Sequence, residues 1–247
     1  MPRDDQPQQA GAEPTRPSQR YGTGEEAQHR SAAKRSPRHE KKAGRISIKE
    51  NEKAVAPILA DLRRVGFEVK HLSDFVNYNI DYRGAIPILL DWLPRTENAD
   101  IKSALVRALT VKAAKPMAGE ILIDEFLRAT DPTGTGLKWI IANALETVAD
   151  DSVFDELVDL AHDKKHGKAR EMVVMALGNM RNPRVADVLI DLLDDEDVAG
   201  HAVVALGRLK SEKATPYLER FLDHPRAWIR KEAKRAVTKI EKAKQAK

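Results

Sequence analysis

The chain has 247 residues, with 42 Lys and Arg against 38 Asp and Glu, a net charge of +4, 42% hydrophobic and 5% aromatic residues. That length accommodates one domain or two small ones with enough apolar material for a core. With no cysteine, disulfides, thiol nucleophiles and Cys-ligated zinc are excluded, and the longest uncharged run, ten residues from Val198 to Gly207, is far below the roughly 18 of a membrane helix.

The first 45 residues hold 10 basic and 6 acidic residues, five of the thirteen prolines, and no Val, Ile, Leu, Phe or Trp. Such a segment buries too little apolar surface to offset its conformational entropy, and a disordered tail is expected. Met1-Pro-Arg-Asp-Asp lacks the apolar core of a secretory signal, so a cytoplasmic protein without membrane insertion is expected. Charge within the tail is uneven: residues 29–45 carry +6, and residues 229–247 carry +6 as well, leaving −6 for residues 46–228. Lys34, Arg35, Arg38, Lys41, Lys42 and Arg45 are candidates for contact with a polyanion such as nucleic acid, by neutralising phosphates. The competing reading is a solubilising arm, and within the tail only Tyr21 could stack on a base.

Residues 46–82 read as a helical cap, with one helix over Asn51–Val65 and a short second one over Val69–Asn79. From residue 83 onward the apolar spacing is helical and restarts repeatedly. Five segments contain a small-then-large pair, Ala108-Leu109, Ala144-Leu145, Ala176-Leu177, Ala205-Leu206 and Ala236-Val237, at intervals of 36, 32, 29 and 31. Apolar residues four and eight positions earlier and three later complete one stripe on a helix, Lys112 excepted. The small residue lets a neighbouring helix come close. A partner helix precedes each segment, marked by Leu89/Leu93, Ile123/Leu127, Leu157/Ala161, Leu189/Leu193 and Leu218/Leu222. Pro87, Pro183 and Pro216 suit helix starts. Ser152 with Asp155 suits a capping box, and Gly178 and Gly207 suit left-handed helix ends.

A two-helix unit of this size cannot cover its own apolar face, so stacked units share one core. The expected fold is all-α: a solenoid of five to six helix pairs, with pairs near 83–112, 118–149, 153–180, 183–209 and 213–241 and a basic C-terminal helix as the far cap. The stretch Asp194-Asp-Glu-Asp-Val-Ala-Gly-His-Ala-Val-Val-Ala-Leu-Gly-Arg-Leu209, followed by Ala214-Thr-Pro-Tyr-Leu-Glu-Arg-Phe-Leu222, resembles a HEAT repeat of the bacterial, phycobilisome-lyase-like type, an armadillo-type superhelix. The family's Val-Arg position corresponds to Ile101-Lys102, Leu137-Lys138, Ala169-Arg170, Val198-Ala199 and Ile229-Arg230. The resemblance implies an acidic–basic ladder between layers, broken at Ala199.

Candidate chemistry is sparse. Asp151, Asp155, Asp159 and Asp163 recur every four residues, which on a helix spreads the carboxylates by about 6 Å per step and so suits an exposed face rather than a metal site. Asp194-Asp195-Glu196-Asp197 precedes a helix and complements its dipole. His162 and His166 lack a third ligand. Pro132-Thr-Gly-Thr-Gly136 lacks the Lys-Ser/Thr of a phosphate cradle. No catalytic residue, metal or cofactor is expected.

The resemblance implies that second helices line a concave face. There, two positions before each anchor, Arg107, Asn143 and Arg235 are expected to point outward, with Met175 and Val204 between. Trp139 and His201 join them as candidate contacts, Trp228 is expected to be partly exposed, and Trp92 is expected in the core. The reading is a non-enzymatic scaffold or adaptor for a protein or peptide partner. The alternative is a nucleic-acid-associated protein, bound through its basic ends or, given HEAT-like DNA glycosylases, an enzyme of that kind. The −6 body and scarce aromatics weigh against the latter.

Overall fold

The computed structural model describes the backbone of residues 37–78 and 80–246, with side chains from Asn51 onward. By its internal contacts the chain forms two units, Met1–Ala43 and Gly44–Lys247, and the side chains discussed below all belong to the second. The tail expectation falls mostly on residues outside the description; helix α1 spans Pro37–Arg64.

Eleven further helices follow: α2 (Asp74–Asn77), α3 (Ile86–Arg95), α4 (Ala99–Leu109), α5 (Ala118–Arg128), α6 (Leu137–Val148), α7 (Phe154–His162), α8 (Ala169–Leu177), α9 (Val185–Asp191), α10 (Ala199–Leu209), α11 (Thr215–Glu219) and α12 (Ala227–Gln245). No strand occurs among the described residues. From α3 onward they pair into five layers: α3/α4, α5/α6, α7/α8, α9/α10 and α11/α12. This is the expected all-α solenoid. Its second helices form a continuous row, α4 on α6, α6 on α8, α8 on α10 and α10 on α12.

The core follows the stripe read from the sequence. Leu105, Ile141, Val173, Ala202 and Ala233 are buried, as are the five small residues Ala108, Ala144, Ala176, Ala205 and Ala236. On the first helices two pairs depart: in α5 Ile123 is buried as expected, but Leu122 and Phe126 join it and Leu127 is 53% exposed, and after α11 Phe221 is buried while Leu222 is half-buried. The larger ring of Phe126 takes the core position and turns Leu127 to solvent.

Local signals were partly misread. Residues 69–73 do not join the second helix, because the Asp74 carboxylate accepts the backbone N–H groups of Lys70 and His71 at 2.9 and 3.0 Å and holds them in a turn. Asp150, not Ser152, caps the start of layer three, accepting the Ser152 N–H at 3.0 Å. Asn98 caps α4 by accepting from Asp100 and Ile101. Pro87 and Pro216 do occupy first turns, while Pro183 lies two residues before α9.

Gly178 caps α8 in the right-handed region and Gly207 lies inside α10, which ends instead at Lys210, with φ +54°. Their role is close approach. A Cβ at Gly178 would lie 2.7 Å from the Ala205 Cβ, and one at Gly207 would lie 2.7 Å from the Ala236 Cβ. Each glycine therefore packs its backbone on the small residue of the next layer.

The ladder expected between layers is present in altered form. Lys102 of α4 pairs with Glu125 of α5, a carboxylate only 1% exposed. Lys138 of α6 meets not an acid but the Nδ1 of buried His166, at 3.1 Å. Arg170 of α8, itself 1% exposed, pairs with Asp195 and donates through Nε to the Ala161 carbonyl at 2.7 Å. Burial opposes ionisation of Asp195, but the Arg170 hydrogen bond and charge outweigh it and hold its carboxyl below the usual range. Asp194 pairs with Arg220. The acidic run before α10 thus joins layers as well as facing a helix start. At Ala199 the rung is missing, as expected; beside it the Trp228 indole covers Gly200, where an added Cβ would meet the ring at 2.1 Å.

Candidate functional site

The second helices present two successive rows of side chains on their shared face. Five positions before each anchor stand Ala104, Ile140, Met172, His201 and Glu232, all half-buried. Two positions before stand Arg107 and Arg235, exposed, with Asn143 and Val204 half-buried between them. Met175 departs from the expectation: it is 3% exposed. The Gly178–Ala205 approach seats α10 closely against α8, and the Met175 side chain is covered there.

Arg107 on α4 and Arg235 on α12 stand on the first and last layers of the row. Arg235 is engaged with Glu232 of its own helix at 2.6 Å. Asn143 and the half-buried Trp139 are neighbours, and the Asn143 amide donates one hydrogen bond to the Trp139 carbonyl at 2.8 Å. Lys34, Arg35, Arg38, Lys41, Lys42 and Arg45 lie outside the residues whose side chains are described.

His201 has the most specific surroundings. Its Nε2 lies 3.7 Å from the Glu171 Oε2 on α8, and its ring centroid lies 5.5 Å from that of Trp228. Its neighbours are therefore side chains of the flanking helices. Burial, reinforced by the Arg208 charge, lowers the imidazole to about 4, so it is neutral at pH 7. Burial likewise raises the Glu171 carboxyl. A neutral imidazole of this acidity offers no proton near neutrality.

One feature of the face was missed. Arg208 donates to the Glu146 carboxylate at 2.7 Å and to the Asn179 Oδ1 at 3.3 Å, while the Asn179 amide donates to the Glu146 carbonyl at 2.8 Å. Three polar residues from layers two, three and four so form one brace. Their positions, one or two after successive anchors, carried the signal; helix-by-helix reading hid it.

The other candidates resolve structurally. Asp155 and Asp159 lie on α7, while Asp151 and Asp163 lie outside it. Asp151 accepts the backbone N–H groups of Arg181 and Asn182, Asp155 pairs with Arg184, and Asp163 accepts the Lys165 N–H. No acidic stripe remains. His162 bonds the Val158 carbonyl, whereas His166 is buried against Phe126 and Lys138, its imidazole lowered to about 4 chiefly by burial and then by the Lys138 charge. Among the described residues no group of His, Asp and Glu could hold a metal ion, and no helix is long and apolar enough to cross a membrane.

The Pro132–Gly136 loop is a joint between layers. Asp131 gathers the N–H groups of Gly134, Gly136 and Lys138, and Gly134 and Gly167, both at positive φ, let this loop lie directly on the next one. Trp92 is half-buried and its indole N–H donates to Asp61 at 3.0 Å, tying α3 to α1. Trp228 is 40% exposed.

Residues 119–200 match the family described as HEAT repeats. Among solved structures, the chain is similar to the designed armadillo repeat protein YIII(Dq)4CqI, with a TM-score of 0.43 and 16% identity over 64% of this chain and 82% of that one. It is also similar to the designed armadillo repeat protein YIII(Dq.V1)4CPAF in complex with peptide (KR)4, with a TM-score of 0.43 and 17% identity over the same shares, 64% and 82%. No curated protein matches the chain.

Proposed function

We propose that the chain, whose residues 119–200 match HEAT repeats, is a non-enzymatic scaffold whose row of second helices binds a protein or peptide partner. The observation that carries this reading is the half-buried row Ala104, Ile140, Met172 and His201, with Trp139 and Val204 beside it, running unbroken across four layers. Such a row offers apolar anchors every layer, while Arg107, Arg208 and the Glu146–Asn179 brace supply a polar border. The second helices also contact each other continuously, whereas first helices meet the next layer largely through turns. A stack whose one row is drawn closer curves toward that row, which supports a concave placement for this face.

Affinity capture with the full chain, followed by hydrogen exchange on the captured complex, tests the proposal. Protection on α4, α6, α8 and α10, together with loss of capture by Arg107→Glu/Met172→Lys, is the expected result. Protection confined to the first helices would overturn it.

A further inference from the structure

A solenoid's last helix must be polar on its outer side, but it need not be polar with one sign. At the other end of this stack, the described part of α1 mixes Glu52, Lys53, Asp61, Arg63 and Arg64. Helix α12 does not mix. It carries seven cations, Arg230, Lys231, Lys234, Arg235, Lys239, Lys242 and Lys244, against Glu232 and Glu241.

Their placement is ordered. Ile229, Ala233, Ala236 and Ile240 form the buried stripe. At 3.6 residues per turn, Lys231, Lys234, Arg235, Lys239 and Lys242 fall within about 140° on the opposite side. All five are exposed. Arg235 is paired with Glu232, but Lys231, Lys234, Lys239 and Lys242 have no acidic partner among the described residues. Trp228 stands at the head of the same stripe. Its ring is fixed from below by Gly200 and His201, and it remains 40% exposed. From Trp228 to Lys242 the stripe runs about 21 Å, with cations at steps of about 5–6 Å.

We propose that this face of α12 binds single-stranded nucleic acid, the lysines tracking the phosphates and Trp228 stacking on a base. A fixed aromatic platform in line with unpaired cations is the pairing that single strands require. Charge alone would serve an acidic protein equally; an immobilised, exposed indole at the end of the row is what a base can use. A lipid surface would need apolar side chains flanking the lysines, and Trp228 stands there alone. This face adjoins the partner row, whose member His201 packs against Trp228; Lys231, Lys239 and Lys242, which that row does not include, tell the two activities apart.

The test uses the full chain and a dye-labelled thymidylate oligomer of about 20 nucleotides, read by fluorescence anisotropy over a salt series. Lys231→Glu/Lys239→Glu/Lys242→Glu should weaken binding about tenfold or more and reduce the slope of log affinity against log salt by about 2. Trp228→Leu should weaken binding while leaving the salt slope in place. Neutralising Lys34, Arg35, Lys41 and Lys42 to Ala separates the tail's share. Circular dichroism melting verifies that each variant is folded. No binding by the unaltered chain would overturn the proposal, as would triple-variant affinity within twofold of it. Tighter binding of a duplex of equal length, or displacement of the oligomer by polyglutamate or anionic vesicles at equal charge, would overturn it too.

Discussion

The first and last junctions of the array join the same kind of layer by opposite means. Between layers one and two, a buried ion pair does the work, Lys102 on Glu125, with Arg128 adding a second partner to that carboxylate at 3.0 Å. Between layers four and five there is no such buried pair: Ala199 stands where the cation would be, the ion pairs Asp194–Arg220 and Asp187–Lys213 are exposed, and close contact is made by backbone, Gly207 on Ala236 and Gly200 under Trp228. The middle junctions carry elements of both, Lys138 with His166 and interlocked glycine loops in one, Arg170 with Asp195 and Gly178 on Ala205 in the other. A repeat therefore does not dictate one adhesive. Where small residues let helices meet, dispersion contacts hold the layers; where larger residues keep them apart, buried charges bridge the gap and must all be satisfied. Every buried side-chain nitrogen and oxygen among the described residues does have a partner.

The largest effect is expected where a charge would be stranded. Asp195→Ala leaves Arg170, 1% exposed, with only the more distant Asp197 carboxylate at 3.8 Å, and should cost about 3 kcal/mol in urea denaturation. The double variant Arg170→Met/Asp195→Ala should recover much of that loss; a single variant no weaker than the double would show that the pair is not what joins layers three and four.

A smaller effect sharpens the other half of the contrast. Gly207→Ala would gain about 1 kcal/mol from helix preference alone, yet the overlap with Ala236 should make it a net loss of about 1–3 kcal/mol. Adding Ala236→Gly should relieve the overlap. A Gly207→Ala chain that melts higher than the parent would mean the last junction is not close-packed.

The pH response distinguishes the junctions further. His166 and His201 are held at about 4 in the folded chain, against an ordinary value of 6.5. Between these values the unfolded chain binds more protons than the folded one, so stability falls as pH drops from 6.5 towards 4. By pH 5 the loss should be on the order of 2 kcal/mol per histidine. Melting followed from pH 7 to pH 5 should show this decline, roughly halved in His201→Gln; an unchanged slope in that variant would place the acid sensitivity wholly at the layer two–three joint.

The candidate face was legible only by rows. That Arg107, Asn143, Val204 and Arg235 share a register was visible from their offsets. That Asn143 spends its amide on its own helix, that Met175 is covered, and that Arg208 reaches Glu146 across 62 residues were not, because each depends on how closely two particular layers approach. The same holds for Gly178 and Gly207. A glycine near a helix end reads locally as a terminator, and only the neighbouring layer reveals it as a contact.

From the chain alone came the period, the two-helix unit, the buried stripe with its small residues, the missing rung at Ala199 and the concentration of positive charge in the last helix. All of these are properties of one helix face or of composition, which 3.6-residue geometry converts directly into position. What the tertiary structure alone decided is the distance between layers, and with it which groups are brought together: His166 with Lys138, His201 with Glu171 and Trp228, Phe126 in place of Leu127. Those distances arise from the summed packing of side chains far apart in the chain, a sum that no local window contains.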